Sequence, residues 1–380
     1  MKLNFFKKLF TKSTDDNIVT PSLDSKQNMP FGKEGSMNFI ESGKSKANKK
    51  NYSEAIADFT SAIELDPNNT IAYLERGKAK RELNDNNGAD TDWATGQRIL
   101  DALDNGLKSI EAGNAAYNED DYANAVEHYN KAIPHTPTIT STYYYRGCAK
   151  QYLDNYKGAL EDFDKSIEID ASNKELSYFQ RSKIKSHKLR DIKGALQDLN
   201  RAIELNPNDA DYYYSRAILV DDYDAVQDLN KAIELAPKKG DNYIARSLRR
   251  GGMEDFEGSI SDATKYIELN PKDGIMTISE AYSVRAGMRL FQNNIEAALV
   301  DHNKAVEADP SNEKALVDRG LVKAILKDLD GAILDFNKAI ELHPEYADAY
   351  YHRGTAKQDN GMKEEGEIDL IRASELGFEE

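Results

Sequence analysis

Apolar residues along most of this chain return every three or four positions, and the pattern itself recurs. In the stretch 332–342, Ala332, Phe336 and Ala339 fall at i, i+4 and i+7 on one stripe of a helix. Ile333 and Ile340 form a neighbouring stripe that can meet a following unit. This wording reappears near Ala55, Ala125, Ala159, Ala195, Ala225 and Ala298. A shorter phrase precedes it: Tyr145-Arg146-Gly147 recurs as Glu75-Arg76-Gly77, Asp318-Arg319-Gly320 and His352-Arg353-Gly354, with looser copies between. Small residues mark ten such places, from Gly43 to Gly354, spaced by 34, 36, 34, 35, 35, 30, 39, 34 and 34 residues. Each unit reads as two helices. Small residues let the helices approach, bulky ones fill the gap, and turns such as Asp154-Asn155-Tyr156-Lys157-Gly158 join them. Prolines such as Pro67, Pro137, Pro207 and Pro344 stop the second helix. A pair of this length cannot bury its own apolar face, so the units must stack.

A small residue in the first helix, Ala, aromatic and Ala in the second, and a closing Pro resemble the tetratricopeptide repeat family over residues 36–380. The Arg-Gly and Asp-Phe-Asn-Lys-Ala-Ile wording looks most like its bacterial members. The resemblance implies an all-α solenoid of about ten stacked helix-turn-helix (TPR) hairpins forming a right-handed superhelix.

The units differ among themselves. In the sixth, only eight residues separate Ala217 from Ala225, so the turn around Asp221-Asp222 must be cut down. An insertion near Asp273-Gly274-Ile275-Met276 lengthens the step to the eighth. In the second unit, Asp90 and Gln97 stand at two places that are apolar elsewhere, as at Ile56 and Ile63. A buried, unpaired Asp90 would weaken the following seam, and the next linkage is long and lacks its proline. We therefore expect a rearranged seam near 88–110, with residues 36–104 (units 1–2) a semi-independent module beside 105–380 (units 3–10).

Residues 1–35 lie outside the array and read as a flexible N-terminal extension. Within it, residues 1–12 interleave Leu3, Phe5, Phe6, Leu9 and Phe10 with Lys2, Lys7, Lys8 and Lys12. This basic amphipathic segment suits a membrane surface, a partner groove or the chain's own concave face. An isolated helix of that length is marginal in water.

Composition narrows the chemistry. Lys and Arg number 50 against 66 Asp and Glu, a net charge of −16. Such a surface disfavours nucleic acid, which needs clustered cations. The single cysteine, Cys148, excludes an intrachain disulfide and fits a reducing, cytoplasmic setting. No apolar run is long enough to span a bilayer. Phosphate-loop, dinucleotide, metalloprotease and nucleophile-elbow motifs are absent, and the six histidines share no ligand spacing. We therefore expect no enzyme, no cofactor and no metal.

Asp recurs at one second-helix place in nine of ten units, and the phrase arginine in eight. A planar guanidinium held by a carboxylate would tie helix to helix at a partly buried seam. A ladder of arginines reading an acidic ligand is the other reading, disfavoured because a ligand site rarely recurs in every unit.

In the family, first helices line the concave face. The matching places of the middle units hold Asn114, Tyr117, Tyr144, Gln151, Tyr152, Phe179, Lys183 and Tyr214. Tyr gives stiff contact area with a polar tip, suited to peptide recognition, although packing between units would use the same residues. Chaperone-binding members clamp a C-terminal carboxylate with Lys, Asn and Arg; Ile40, Lys44, Leu74 and Glu75 do not reproduce that set. A basic island in units one and two includes Lys44, Lys78 and Arg81 and could attract an acidic peptide. The expected function is a non-catalytic scaffold holding a protein or peptide partner. The alternative is a membrane-associated subunit anchored through residues 1–12. At the C-terminus, Glu367 and Ser374 replace the stacking residues Ile333 and Ile340, as in a terminal cap. Ile371, Leu376 and Phe378 would stay exposed, too little for an obligate interface, so a monomer is expected.

Overall fold

A computed structural model describes residues 34–169, 174–272 and 274–378. The chain divides into two compact units at Leu205 and Asn206. Nineteen helices and no strand occur among the described residues, and consecutive helices pair as stacked hairpins. The expected roles of residues 1–12 and 13–33, and of Asp273 in the insertion, lie outside the described residues.

The first unit holds α1 (Glu34–Asn48), α2 (Tyr52–Leu65), α3 (Thr70–Glu82), α4 (Asn86–Asn118) and α5 (Tyr122–Ala132). It continues with α6 (Thr140–Tyr152), α7 (Tyr156–Ile169), α8 (Lys174–His187) and α9 (Ile192–Leu205). The long helix α4 runs through the stretch 88–110 where a rearranged seam is expected from hairpin two. Its 33 residues run roughly 50 Å at 1.5 Å per residue. Its N-terminal part packs on α3 as the second helix of hairpin two, and its C-terminal part packs on α5 as the first helix of hairpin three. No turn interrupts it, so the expected boundary at 104/105 falls inside a helix. No residue between Gly96 and Gly106 is buried. The premise about Asp90 needs correction: Asp90 is exposed and paired with Arg81 at 2.6 Å. Gln97 is exposed as well and bonds Asp101. Because α4 is unbroken there, the face carrying Asp90 and Gln97 meets solvent and neither side chain is buried.

The second unit holds α10 (Ala210–Ala217), α11 (Asp222–Leu235), α12 (Gly240–Gly252), α13 (Phe256–Leu269) and α14 (Ile278–Phe291). It ends with α15 (Ile295–Ala308), α16 (Glu313–Ile325), α17 (Leu329–Leu342), α18 (Ala347–Asp359) and α19 (Lys363–Glu375). The shortened sixth hairpin shows in α10, eight residues long, with Asp221 capping α11 through the Asp224 amide. The insertion before α14 is folded into the core. Met276 is buried, the Tyr266 hydroxyl donates to its carbonyl, and Thr277 with Glu280 forms a capping box.

The repeated small residue is a matter of contact distance. A methyl group at Gly320 would sit 2.6 Å from the Phe336 ring, and one at Gly147 would sit 2.8 Å from Phe163. The ring of one helix thus rests on the bare backbone of its mate, and bulk there would push the helices apart.

The last described helix, α19, turns a polar face outward. Glu367 and Ser374 are exposed while Gly366 and Ala373 are buried. Phe378 departs from expectation: its ring stacks on Tyr351 with centroids 4.1 Å apart, because the chain turns back after α19.

Candidate functional site

The recurring charges are accounted for first. All eight phrase arginines hold the Asp of their own hairpin in a two-pronged bond: Arg76–Asp92, Arg146–Asp162, Arg181–Asp198, Arg216–Asp228, Arg246–Asp262, Arg285–Asp301, Arg319–Asp335 and Arg353–Asp369. In each, Nε and Nη2 donate to the two carboxylate oxygens at 2.5–2.9 Å. The carboxylates are buried, which demands such pairing. In seven of the hairpins a second cation one turn later, such as Lys150 or Arg289, reaches the same Asp at 2.8–2.9 Å.

The arginine also reaches backwards, which the sequence reading missed. Nη1 donates to the preceding hairpin: Arg146 to Asn130 at 2.7 Å, Arg246 to Asn230 at 2.6 Å and Arg353 to Asn337 at 2.7 Å. Each of these three rivets therefore joins three helices. The signal was present, since a polar residue stands two places after many of the aspartates. Asp369 shows the electrostatic balance. Burial pushes its carboxyl up, but the bonds from Arg353 and Lys357 outweigh it and hold it below the usual carboxylate range. The arginines are bound within the fold, which excludes the ligand-reading ladder.

The first-helix aromatics of the first unit form a connected patch. Tyr117 meets Tyr122, Tyr145 and Tyr152 edge-on, with centroids 5.3, 5.9 and 6.2 Å apart. Tyr152 stacks flat on Tyr122 at 4.2 Å and is 48% exposed. Tyr144 packs on Tyr145 and Phe163, and burial holds its phenol well above the usual range. On the same helix, the side-chain carbonyl of Gln151 is buried with no hydrogen-bond partner. Asn114 accepts from the Tyr129 hydroxyl at 2.8 Å, which fixes it in place. Phe179 is half-buried with the Lys183 ammonium over its ring. Tyr214 belongs to the second unit; its hydroxyl has no partner, and burial raises its pKa. Sequence reading missed Tyr122 and Tyr145, since Tyr122 opens a second helix and Tyr145 sits one place off the chosen stripe.

The basic island is largely neutralised. Lys78 pairs with Glu75 at 2.8 Å. Arg81 pairs with Asp90 and lies over the Trp93 ring at 4.2 Å. Lys44 is exposed. Among the described residues no group of His, Cys, Asp or Glu could hold a metal ion, and no helix is long and apolar enough to cross a membrane.

Tetratricopeptide-repeat models match residues 40–69, 140–173 and 176–209, and a TPR-repeat model matches 320–361. Each matched span lies on the stacked hairpins described above. These are tetratricopeptide repeats. Among solved structures, the TPR chain resembles the C-terminal part of a TPR repeat-containing protein from Cytophaga hutchinsonii. The two share 17% identity over 64% of this chain and 98% of that one, with a TM-score of 0.55. A tetratricopeptide repeat protein from Parabacteroides merdae shares 19% identity over 70% and 99%, at 0.46. YrrB, a TPR protein with an unusual peptide-binding site, shares 22% identity over 47% and 92%, at 0.40. The likeness to the Cytophaga hutchinsonii protein shows the fold. No curated protein matches the chain by sequence.

Proposed function

We propose that this TPR protein is a non-catalytic scaffold that holds a protein or peptide partner against its first-helix faces. The observation that carries this is the tyrosine patch in the first unit. A half-exposed Tyr152 stacks on the half-buried Tyr122 and meets the buried Tyr117 edge-on. Rigid aromatics with a polar group next to them are what a binding surface needs. The recurrent Arg–Asp charges are bound within the fold, which supports reading the exposed aromatics as the binding surface. Phe179 with Lys183, and Tyr214 in the second unit, belong to the same reading.

The test compares variants by calorimetry against a partner first recovered from the source cell. Tyr152→Ala and Phe179→Ala should weaken binding at least tenfold, about 1.4 kcal/mol, with helicity and melting nearly unchanged. Unchanged affinity, or a steep fall in melting temperature, would assign these residues to packing.

A further inference from the structure

At three of the described seams between hairpins, an aromatic residue opening a second helix touches the end of the following first helix. In each case an acid with left-handed backbone stands two places before the ring: Asp120 before Tyr122, Asp154 before Tyr156 and Glu254 before Phe256. At the middle seam the arriving group is a cation. The Lys188 ammonium lies 4.7 Å from the centre of the Tyr156 ring, whose hydroxyl donates to Asp154. At the seventh hairpin the arriving group is Phe291, at the end of α14. Its ring stacks on Phe256 with centroids 5.2 Å and planes 4° apart, yet it is 69% exposed. Stacking covers one face and leaves the other towards solvent. Glu254, Asp255 and Glu257 around the α12–α13 turn, and Glu296 at the start of α15, are exposed as well. Arginines of α12 and α14 turn inward, Arg250 to Asp262 at 2.9 Å and Arg289 to Asp301 at 2.8 Å.

We propose that the outer face of Phe291 is a seat for an arginine side chain of a protein partner. Two observations select that occupant. The first is charge: an aromatic face attracts a cation, and exposed carboxylates around it add to the attraction. An anionic partner would meet like charge there, and an aliphatic one would strip water from the carboxylates without replacing it. The second is the precedent within the chain. Lys188 rests on Tyr156 beside Asp154, so a ring and an acid at these two repeat places do hold a cation. Arginine suits Phe291 better than lysine. Its flat guanidinium can lie on the ring while the N–H groups at its edge reach the carboxylates. Phe291 belongs to the second unit, so this seat is independent of the tyrosine patch in the first.

The experiment uses the full-length chain with 4-fluorophenylalanine at position 256, beneath Phe291, and follows its fluorine resonance. The probes are the peptide acetyl-Arg-Gly-Arg amide and its citrulline counterpart, which has nearly the same shape without the charge. The expected result is a saturable shift with the arginine peptide and binding weaker by at least about fivefold with citrulline. Phe291→Leu keeps an apolar side chain but removes the ring, and should weaken the arginine peptide about two- to fivefold. Phe291→Trp should bind it as tightly as Phe or more so, since indole is the best cation acceptor of the aromatic rings. Both melting curves should stay in place, because the side chain is exposed. If Leu loosens the stack, the Trp variant decides, and weaker binding there would overturn the proposal. Equal binding of the two peptides, unchanged affinity in a stably folded Leu variant, or no saturable shift at all would also overturn it.

Discussion

The carboxylates of the arginine rivets share a repeat place but not an environment, which allows a controlled perturbation. Asp301 has a side chain 1% exposed and binds Arg285 with both oxygens, while Arg289 reaches one of them at 2.8 Å. Arg285 is itself buried. Asp301→Ala would leave two cations facing each other at a dry seam between α14 and α15. Removing one partner of a buried pair costs about 3–5 kcal/mol. Asp58 occupies the same place in the first hairpin, where its partners are the Ser42 hydroxyl and Lys46. The Lys46 side chain is 34% exposed and can turn to water, so Asp58→Ala should cost within about 1 kcal/mol. Repeat arrays open locally, so hydrogen exchange of α14 and α15 is the suitable assay, with urea unfolding alongside. At 1.4 kcal/mol per tenfold, exchange there should quicken by roughly two to three and a half orders of magnitude in Asp301→Ala. Equal effects of the two substitutions, or a cost below about 1 kcal/mol at Asp301, would refute the view that the rivets hold the stack.

His302 takes the core place that Phe336 fills in the next hairpin, and burial pushes its pKa down to about 4, with Arg319 pushing the same way and Asp301 opposing. The unfolded chain binds that proton near pH 6.5, so stability should fall as pH drops from there towards 4, by about 3 kcal/mol; His302→Phe should remove this slope from an acid-unfolding series. Asp369 adds a separate acid effect: its stabilisation is present above the ordinary carboxylate value near 4 and is lost as pH falls below it. Hydrogen exchange across α4 should be fastest over residues 97–105, where nothing is buried; uniform protection along the helix would remove the case for 36–104 as a semi-independent module. Glu367→Ile with Ser374→Ile should restore a stacking face and cause association at micromolar concentration; a light-scattering mass that stays monomeric would show that the cap does not depend on these two residues.

The repeat period, the hairpin composition and the polar outer face of α19 were legible in the sequence because they follow from local rules. Gly320 recurs where Phe336 must approach, and prolines recur where helices must stop. Glu367 and Ser374 interrupt a stripe that every reader of the period can count. The pairing of Arg with Asp was legible for the same reason, as two residues at fixed places in one hairpin. Tertiary structure alone decided what depends on the neighbour. The arginine's third bond, to residues such as Asn130, appears only when one hairpin is laid on the next. Asp90 looked like a buried charge because its repeat place is usually covered; the unbroken run of α4 left it in water beside Arg81. Tyr122 joined Tyr152 because stacking brings the start of one hairpin's second helix against the end of the next hairpin's first. Phe378 found Tyr351 only when the chain turned back on itself. Period and propensity fix which residues share a helix face. What that face meets depends on where the next helix lies, a long-range packing outcome that no single repeat encodes.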